Sequence, residues 1–193
     1  MRVPPFSIAV ASMVMMMASG AYAQQDRVEY RVLATNKTST MQKELNEAAD
    51  AGFRFGAVMG GETSFGGSEA AVVMQKATGA SRFEYKLLAT SKTSTMQKEL
   101  QEASDAGFRY VGQTVFKSMF GGAEVACILE RDAGAAPPAE KHEYRLLATK
   151  KTSTMQKELQ EAGDEGFMII GMTVGQTAMG GSELVSITRR TAR

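Results

Sequence analysis

EYRVLATNKTSTMQKELNEAADAGF, residues 29–53, returns as EYKLLATSKTSTMQKELQEASDAGF at 84–108 and as EYRLLATKKTSTMQKELQEAGDEGF at 143–167. The octet TSTMQKEL inside it is repeated without a change, which raises the question of whether it marks a site or a structural part. The match runs without a gap over residues 29–76, 84–131 and 143–190. It decays along each unit. Of the first 25 positions 19 agree in all three copies, but of the remaining 23 only three do, a Gly-Gly pair and a Glu represented first by Gly66, Gly67 and Glu69. A unit recurring in series is the signature of a repeat architecture. Residues 77–83 and 132–142 are small and polar, the second stretch containing Pro, and read as linkers.

Within the first unit, Tyr30, Val32 and Ala34 fall on one parity and Leu33 on the other, the pattern of a strand. A helix follows. Ser39 is the expected N-cap, with Gln42 three residues later closing a capping box. Met41, Leu45 and Ala48 form the apolar stripe, and Lys43, Asn46, Glu47 and Asp50 the opposite face. Gly52 stands where a left-handed C-terminal residue belongs, and Phe53 is expected to fold back onto Ala48. FRFGAVM, FRYVGQTVF and FMIIGMTVG read as second strands, EAAVVMQK, EVACILER and ELVSITRR as third strands, and the Gly-Gly pairs as turns between them. The fold class is therefore α+β: three tandem β-α-β-β repeats, each a small three-stranded sheet with one helix on one face. Ala71 and Val73 beside Val72 and Met74 make both parities of the third strand apolar, so the other sheet face is expected to be at least partly covered. A unit of this size buries little on its own, and packing between repeats, or between chains as a homo-oligomer, is the expected remedy.

Residues 1–23 carry an early cation, an apolar run and the small-residue ending Ala21-Tyr22-Ala23, and read as a signal peptide. The expected mature chain starts near Gln24, has no transmembrane segment, and works in the periplasm or outside the cell. The whole sequence has 22 Lys plus Arg and 21 Asp plus Glu; without Arg2 the signs balance and are interspersed. That argues against nucleic acid and against an anionic membrane surface as partner. Cys127 is the single cysteine. An odd thiol in an exported chain raises an intermolecular bridge, while its counterparts Val72 and Ser186 favour a small packed strand position.

Ser39, Gln42, Met41 and Leu45 have structural duties in this reading. Lys37, Thr38, Thr40 and Lys43 do not, and neither do their equivalents Lys92, Thr93, Thr95 and Lys98, then Lys151, Thr152, Thr154 and Lys157. These twelve are the candidate binding residues, because free amides at a helix start favour a phosphate, sulfate or carboxylate. The competing reading is a solvated helix start retained from duplication. No catalytic residue is assigned. The sole histidine, His142, has no counterpart at Val28 or Phe83, and the pairs Glu47 and Asp50, Glu102 and Asp105, and Glu161 and Asp164 read as a solvated charged face. The Gly-Gly pairs lack a following Lys-Ser/Thr and form no phosphate loop. No metal and no cofactor is expected. The chain reads as an exported, non-enzymatic binding or scaffolding protein that offers a thrice-repeated surface to an envelope protein or glycan. The alternatives are an envelope hydrolase or transferase with its site between repeats, and a structural assembly held by edge strands.

The Glu-Tyr-Arg/Lys first strand, the Leu-x-x-Ala helix spacing, the abrupt Gly-Phe ending and a last strand closing on Gln-Lys, Glu-Arg or Arg-Arg resemble the small bacterial domain catalogued as domain of unknown function 4177. The resemblance covers each of the three units. It implies a β-α-β-β fold, and it implies neither an activity nor any site residues.

Overall fold

Each repeat forms strand, helix, strand, strand. The first holds β1 (Tyr30–Thr35), α1 (Thr38–Asp50), β2 (Phe53–Glu62) and β3 (Ser68–Lys76). The second holds β4 (Phe83–Thr90), α2 (Thr93–Asp105), β5 (Arg109–Lys117) and β6 (Ala123–Asp132). The third holds β7 (His142–Thr149), α3 (Thr152–Asp164), β8 (Met168–Gln176) and β9 (Ser182–Thr191). The structure, a computed structural model, describes residues 27–62, 68–77, 79, 82–90, 92–117, 123–134, 136, 140–176 and 182–192. Residues 1–23, read as a signal peptide, and the three Gly-Gly pairs lie outside the described residues.

In every sheet the third strand is central and antiparallel to both neighbours, giving the orders β1-β3-β2, β4-β6-β5 and β7-β9-β8. This is the α+β class with three tandem repeats that the sequence predicts. A bulge interrupts the second strand at the same place each time, between Phe55 and Ala57, Tyr110 and Gly112, and Ile169 and Gly171. His142, assigned to the linker from sequence, opens β7 opposite Thr191.

The helices differ from expectation at one end and match it at the other. Lys37 is the N-cap in extended conformation and no side chain caps the helix, so the predicted Ser39 cap and Gln42 capping box do not form. The turn is made one step earlier: the Thr35 hydroxyl accepts the Lys37 amide at 3.2 Å, as Thr90 does for Lys92 and Thr149 for Lys151. The helix therefore begins at Thr38, and Gln42 is released for another contact. At the far end Gly52, Gly107 and Gly166 have φ of 82°, 87° and 86°. In α2 the Gly107 amide meets the Ser104 carbonyl and the Phe108 amide the Ala103 carbonyl, both at 2.9 Å, and α3 repeats the pair with Gly166 and Phe167. These two bonds are a Schellman ending, which returns the chain sharply into the second strand.

The cores are shared between repeats. One cluster combines Leu33, Val72 and Met74 of the first sheet and Met41, Leu45 and Ala48 of α1 with Tyr85, Ala126 and Ile128 of the second sheet. The next combines Leu88, Cys127 and Leu129 of the second sheet and Met96 and Leu100 of α2 with Tyr144, Val185 and Ile187 of the third. Helices α1 and α2 thus pack on their own sheets and on the first strand of the next repeat, α3 packs on its own sheet, and β2 meets β5 and β5 meets β8 directly. This explains the apolar residues of both parities: the face of sheets two and three that turns away from their own helix covers the preceding repeat. Among the described residues, the large apolar side chains that remain exposed are confined to the ends of this stack. They are Tyr30, Val32 and Met59 in the first repeat with Val28 just ahead of it, and Met168, Ile169, Met172 and Val174 in the third.

Candidate functional site

Three places concentrate polar chemistry, and the first is the joint between repeats. β4 is an edge strand, so its outward peptide groups need partners. Helix α1 supplies them. The Gln42 amide donates to the Tyr85 carbonyl at 2.7 Å and its oxygen accepts the Leu87 amide, while Asn46 donates to the Tyr85 carbonyl at 3.0 Å and accepts its amide at 2.9 Å. The Tyr85 hydroxyl accepts the Phe55 amide beside the bulge at 2.7 Å. The same joint recurs one repeat later. Gln97 accepts the Leu146 amide and Gln101 the Tyr144 amide, each at 3.2 Å; Gln101 donates to the His142 carbonyl at 3.0 Å, and the Tyr144 hydroxyl accepts the Tyr110 amide at 3.2 Å. Asn46, read from sequence as solvent-facing, is half-buried in this joint.

The second place is Glu130, on the central strand β6 and only 1% exposed. Arg54 of the first repeat approaches it at 2.9 Å, Arg109 of the second at 2.7 Å, and the Tyr85 hydroxyl donates to it at 2.8 Å. Burial by itself would raise this carboxyl; the hydrogen bonds from Arg54, Arg109 and Tyr85 outweigh burial and hold it below the ordinary carboxylate range. Burial pushes the Tyr85 hydroxyl far above its ordinary value, so it remains a donor. Arg54 also lies over the Phe83 ring at 4.4 Å. The cluster is an ionic clamp across the first joint.

The third place is a groove of about 720 Å³ where α2 borders the third repeat, lined among others by Gln97, Gln101, Glu143, Arg145 and Arg190. Its charges are engaged with one another or with Glu165 nearby. Arg190 pairs with Glu143, Arg145 grips Glu165 with two bonds at 2.9 and 2.6 Å, and both guanidiniums lie over Phe167 at 4.3 and 4.4 Å. The hydrogen bonds from Arg145 hold the Glu165 carboxyl below its ordinary value, which favours the ionised form and disfavours a general acid. Burial, and then Arg189, lower the His142 ring below its ordinary pKa, and its Nδ1 is buried without a partner among the described residues. No group of three His, Cys, Asp or Glu among the described residues is placed to hold a metal ion.

The twelve candidate binding residues lie at the starts of α1, α2 and α3, one set in each repeat. Lys37, Lys43, Lys92, Thr93, Lys98, Lys151, Thr152 and Lys157 are exposed, while Thr38, Thr40, Thr95 and Thr154 are half-buried. Lys43, Lys98 and Lys157 lie 3.6 to 3.7 Å from Glu47, Glu102 and Glu161 one turn on, as solvated ion pairs. Lys92 and Thr93 line a small cavity of about 20 Å³ together with Leu146, Gly175 and Glu183 of the third repeat, so this helix start borders a neighbour. Cys127 is fully buried, as a small packed strand position would be, with no exposed thiol there for a bridge, and burial pushes its thiol up to about 12. No helix among the described residues is long and apolar enough to cross a membrane.

Sequence reasoning missed Gln42 and Asn46 as joint residues, Tyr85 and Tyr144 as pins, and Glu130 as a clamp. The signal for the first was present, since a glutamine kept in all three copies was assigned to a local cap that the backbone does not use. No family model, curated protein or solved structure matched the chain.

Proposed function

We propose that this chain is an exported, non-enzymatic scaffolding protein whose repeats stack into one body and present the exposed part of each helix start to an envelope protein or glycan. The observation that supports this best is the joint. The most strongly repeated stretch of the sequence lies where it ties one repeat to the next, by equivalent amides on equivalent peptide groups, in both places where a next repeat exists. Its repetition then follows from assembly and needs no catalytic duty. Lys37, Lys92 and Lys151 are exposed in successive repeats, with Thr93 and Thr152 exposed beside the last two and Thr38 half-buried beside the first. Tethered copies of a weak contact raise the effective concentration at a repetitive ligand. Export rests on the pattern of residues 1–23.

Two measurements test this reading. Cell fractionation followed by amino-terminal sequencing is expected to find the chain outside the cytoplasm and starting near Gln24. Retention on isolated envelope material is expected for the native chain and lost in a variant combining Lys37→Ala, Lys92→Ala, Lys151→Ala, Thr38→Ala, Thr93→Ala and Thr152→Ala, at equal thermal midpoint. Equal retention of the two, or none by either, contradicts the presented surface.

A further inference from the structure

The joint between repeats has a receiving side and a donating side, and among the described residues one copy of each is uncovered. The receiving side is a first strand with the sheet face around it. Tyr85 and Tyr144 on that side are 2% and 4% exposed, whereas Tyr30 at the same position of the first repeat is 63% exposed. The donating side is a helix with the second strand beside it. Leu45 and Leu100 are fully buried there, while Leu159 of α3 is only half-buried. Repeat stacks that end in solvent carry polar outer faces on their terminal units. Here, among the described residues, the first repeat exposes three large apolar side chains with Val28 just ahead of it, the third repeat exposes four, and the middle repeat none.

The two uncovered sides match each other position by position. Gln156 and Gln160 stand on α3 where Gln97 and Gln101 stand on α2, and Val32 and Tyr30 stand on β1 where Leu146 and Tyr144 receive those amides. The packing is complementary too. A Cβ added at Gly112 would come within 2.7 Å of the Phe55 ring, and one at Gly171 within 2.1 Å of the Tyr110 hydroxyl, so each closed joint sets a glycine against an aromatic ring. At the uncovered sides the same two positions hold Ala57 and Ile169, one residue larger and the other smaller. Charge behaves likewise. Arg54 and Glu130 are paired across the first joint, and the positions equivalent to them at the uncovered sides hold Met168 and Gln75, both uncharged. Closing that joint would bury no unpaired ion at these two positions, the arrangement that most often opposes burial.

We infer that a second copy of this chain covers these faces, with α3 and β8 of one molecule docking on β1 and the outer face of the first sheet of the next. The contact is heterologous, head to tail, and propagates into a ring or a filament. It deepens the scaffolding reading and rests on it for its purpose, because a stack that continues between molecules multiplies the presented layers. It is tested with purified chain alone, so loss of envelope retention and loss of self-association are separate results.

The experiment is sedimentation velocity across micromolar to millimolar concentrations, on the chain from Gln24 onward. Val32→Arg blocks the receiving side and Ile169→Arg the donating side, both at exposed positions, with Tyr30→Lys and Gln160→Lys as second variants should either first one lower the thermal midpoint. The mass of the native chain is expected to rise with concentration, each blocked chain alone to remain a monomer, and an equimolar mixture of the two to form a species of two chains and stop there. A native chain that is monomeric throughout overturns the inference. So does an Ile169→Arg chain that still pairs with itself, which would mean head-to-head contact, or a mixture that stays monomeric.

Discussion

Glu130 shows how one residue commits two repeats to each other. Its carboxylate is buried, yet it is bonded by a guanidinium from each repeat and by the Tyr85 hydroxyl. Removing it leaves two arginines that are about half in water, so the loss falls below that of a fully buried ion pair: Glu130→Ala is expected to lower stability by about 2 kcal/mol in denaturant melts. Because its folded pKa lies below the unfolded value, the carboxylate contributes its stabilisation fully above that unfolded value, and the contribution fades as pH falls through the folded one. The gap in thermal midpoint between the native chain and Glu130→Gln is therefore expected to be constant near neutrality and to narrow below about pH 4.5. None of this was legible in the sequence. The counterparts of Glu130 are Gln75 and Arg189, so the position looks like variable surface, and its burial comes from the neighbouring repeat.

The helices divide cleanly into a readable end and an unreadable one. The glycine ending was legible, because only a residue without a Cβ enters the left-handed region without strain, and Gly-Phe recurs in all three copies. Nothing lies within 4 Å of a Cβ built at Gly166, so Gly166→Ala isolates the backbone term and is expected to lower stability by about 1 kcal/mol, read as a shift of the melting midpoint. The helix start was misread. A glutamine three residues after a serine fits a local capping box equally well, and only the presence of an uncapped strand edge on the next repeat decides where its amide goes. The β strands were readable from parity. The reason both parities are apolar was not, since it requires knowing which sheet lies behind which.

At the scale of the whole molecule, the three repeats are legible as units of sequence but not as units of stability. Their cores are built across the boundaries, with α1 and the first sheet completed by residues of the second repeat. Residues 29–76 alone are therefore expected to show no cooperative thermal transition, whereas residues 29–131 are expected to show one by circular dichroism. Pairwise joining also predicts that the same substitution acts differently according to whether a next repeat exists. Gln42 and Gln97 bond the following strand, and Gln156 has no following repeat within the chain. The most direct test is to compare the stabilities of Gln42→Ala, Gln97→Ala and Gln156→Ala at a concentration where the chain is monomeric. The first two are expected to lose about 1 kcal/mol each and the third nothing measurable. Equal losses at all three positions would place the octet's duty inside its own helix and contradict the joint.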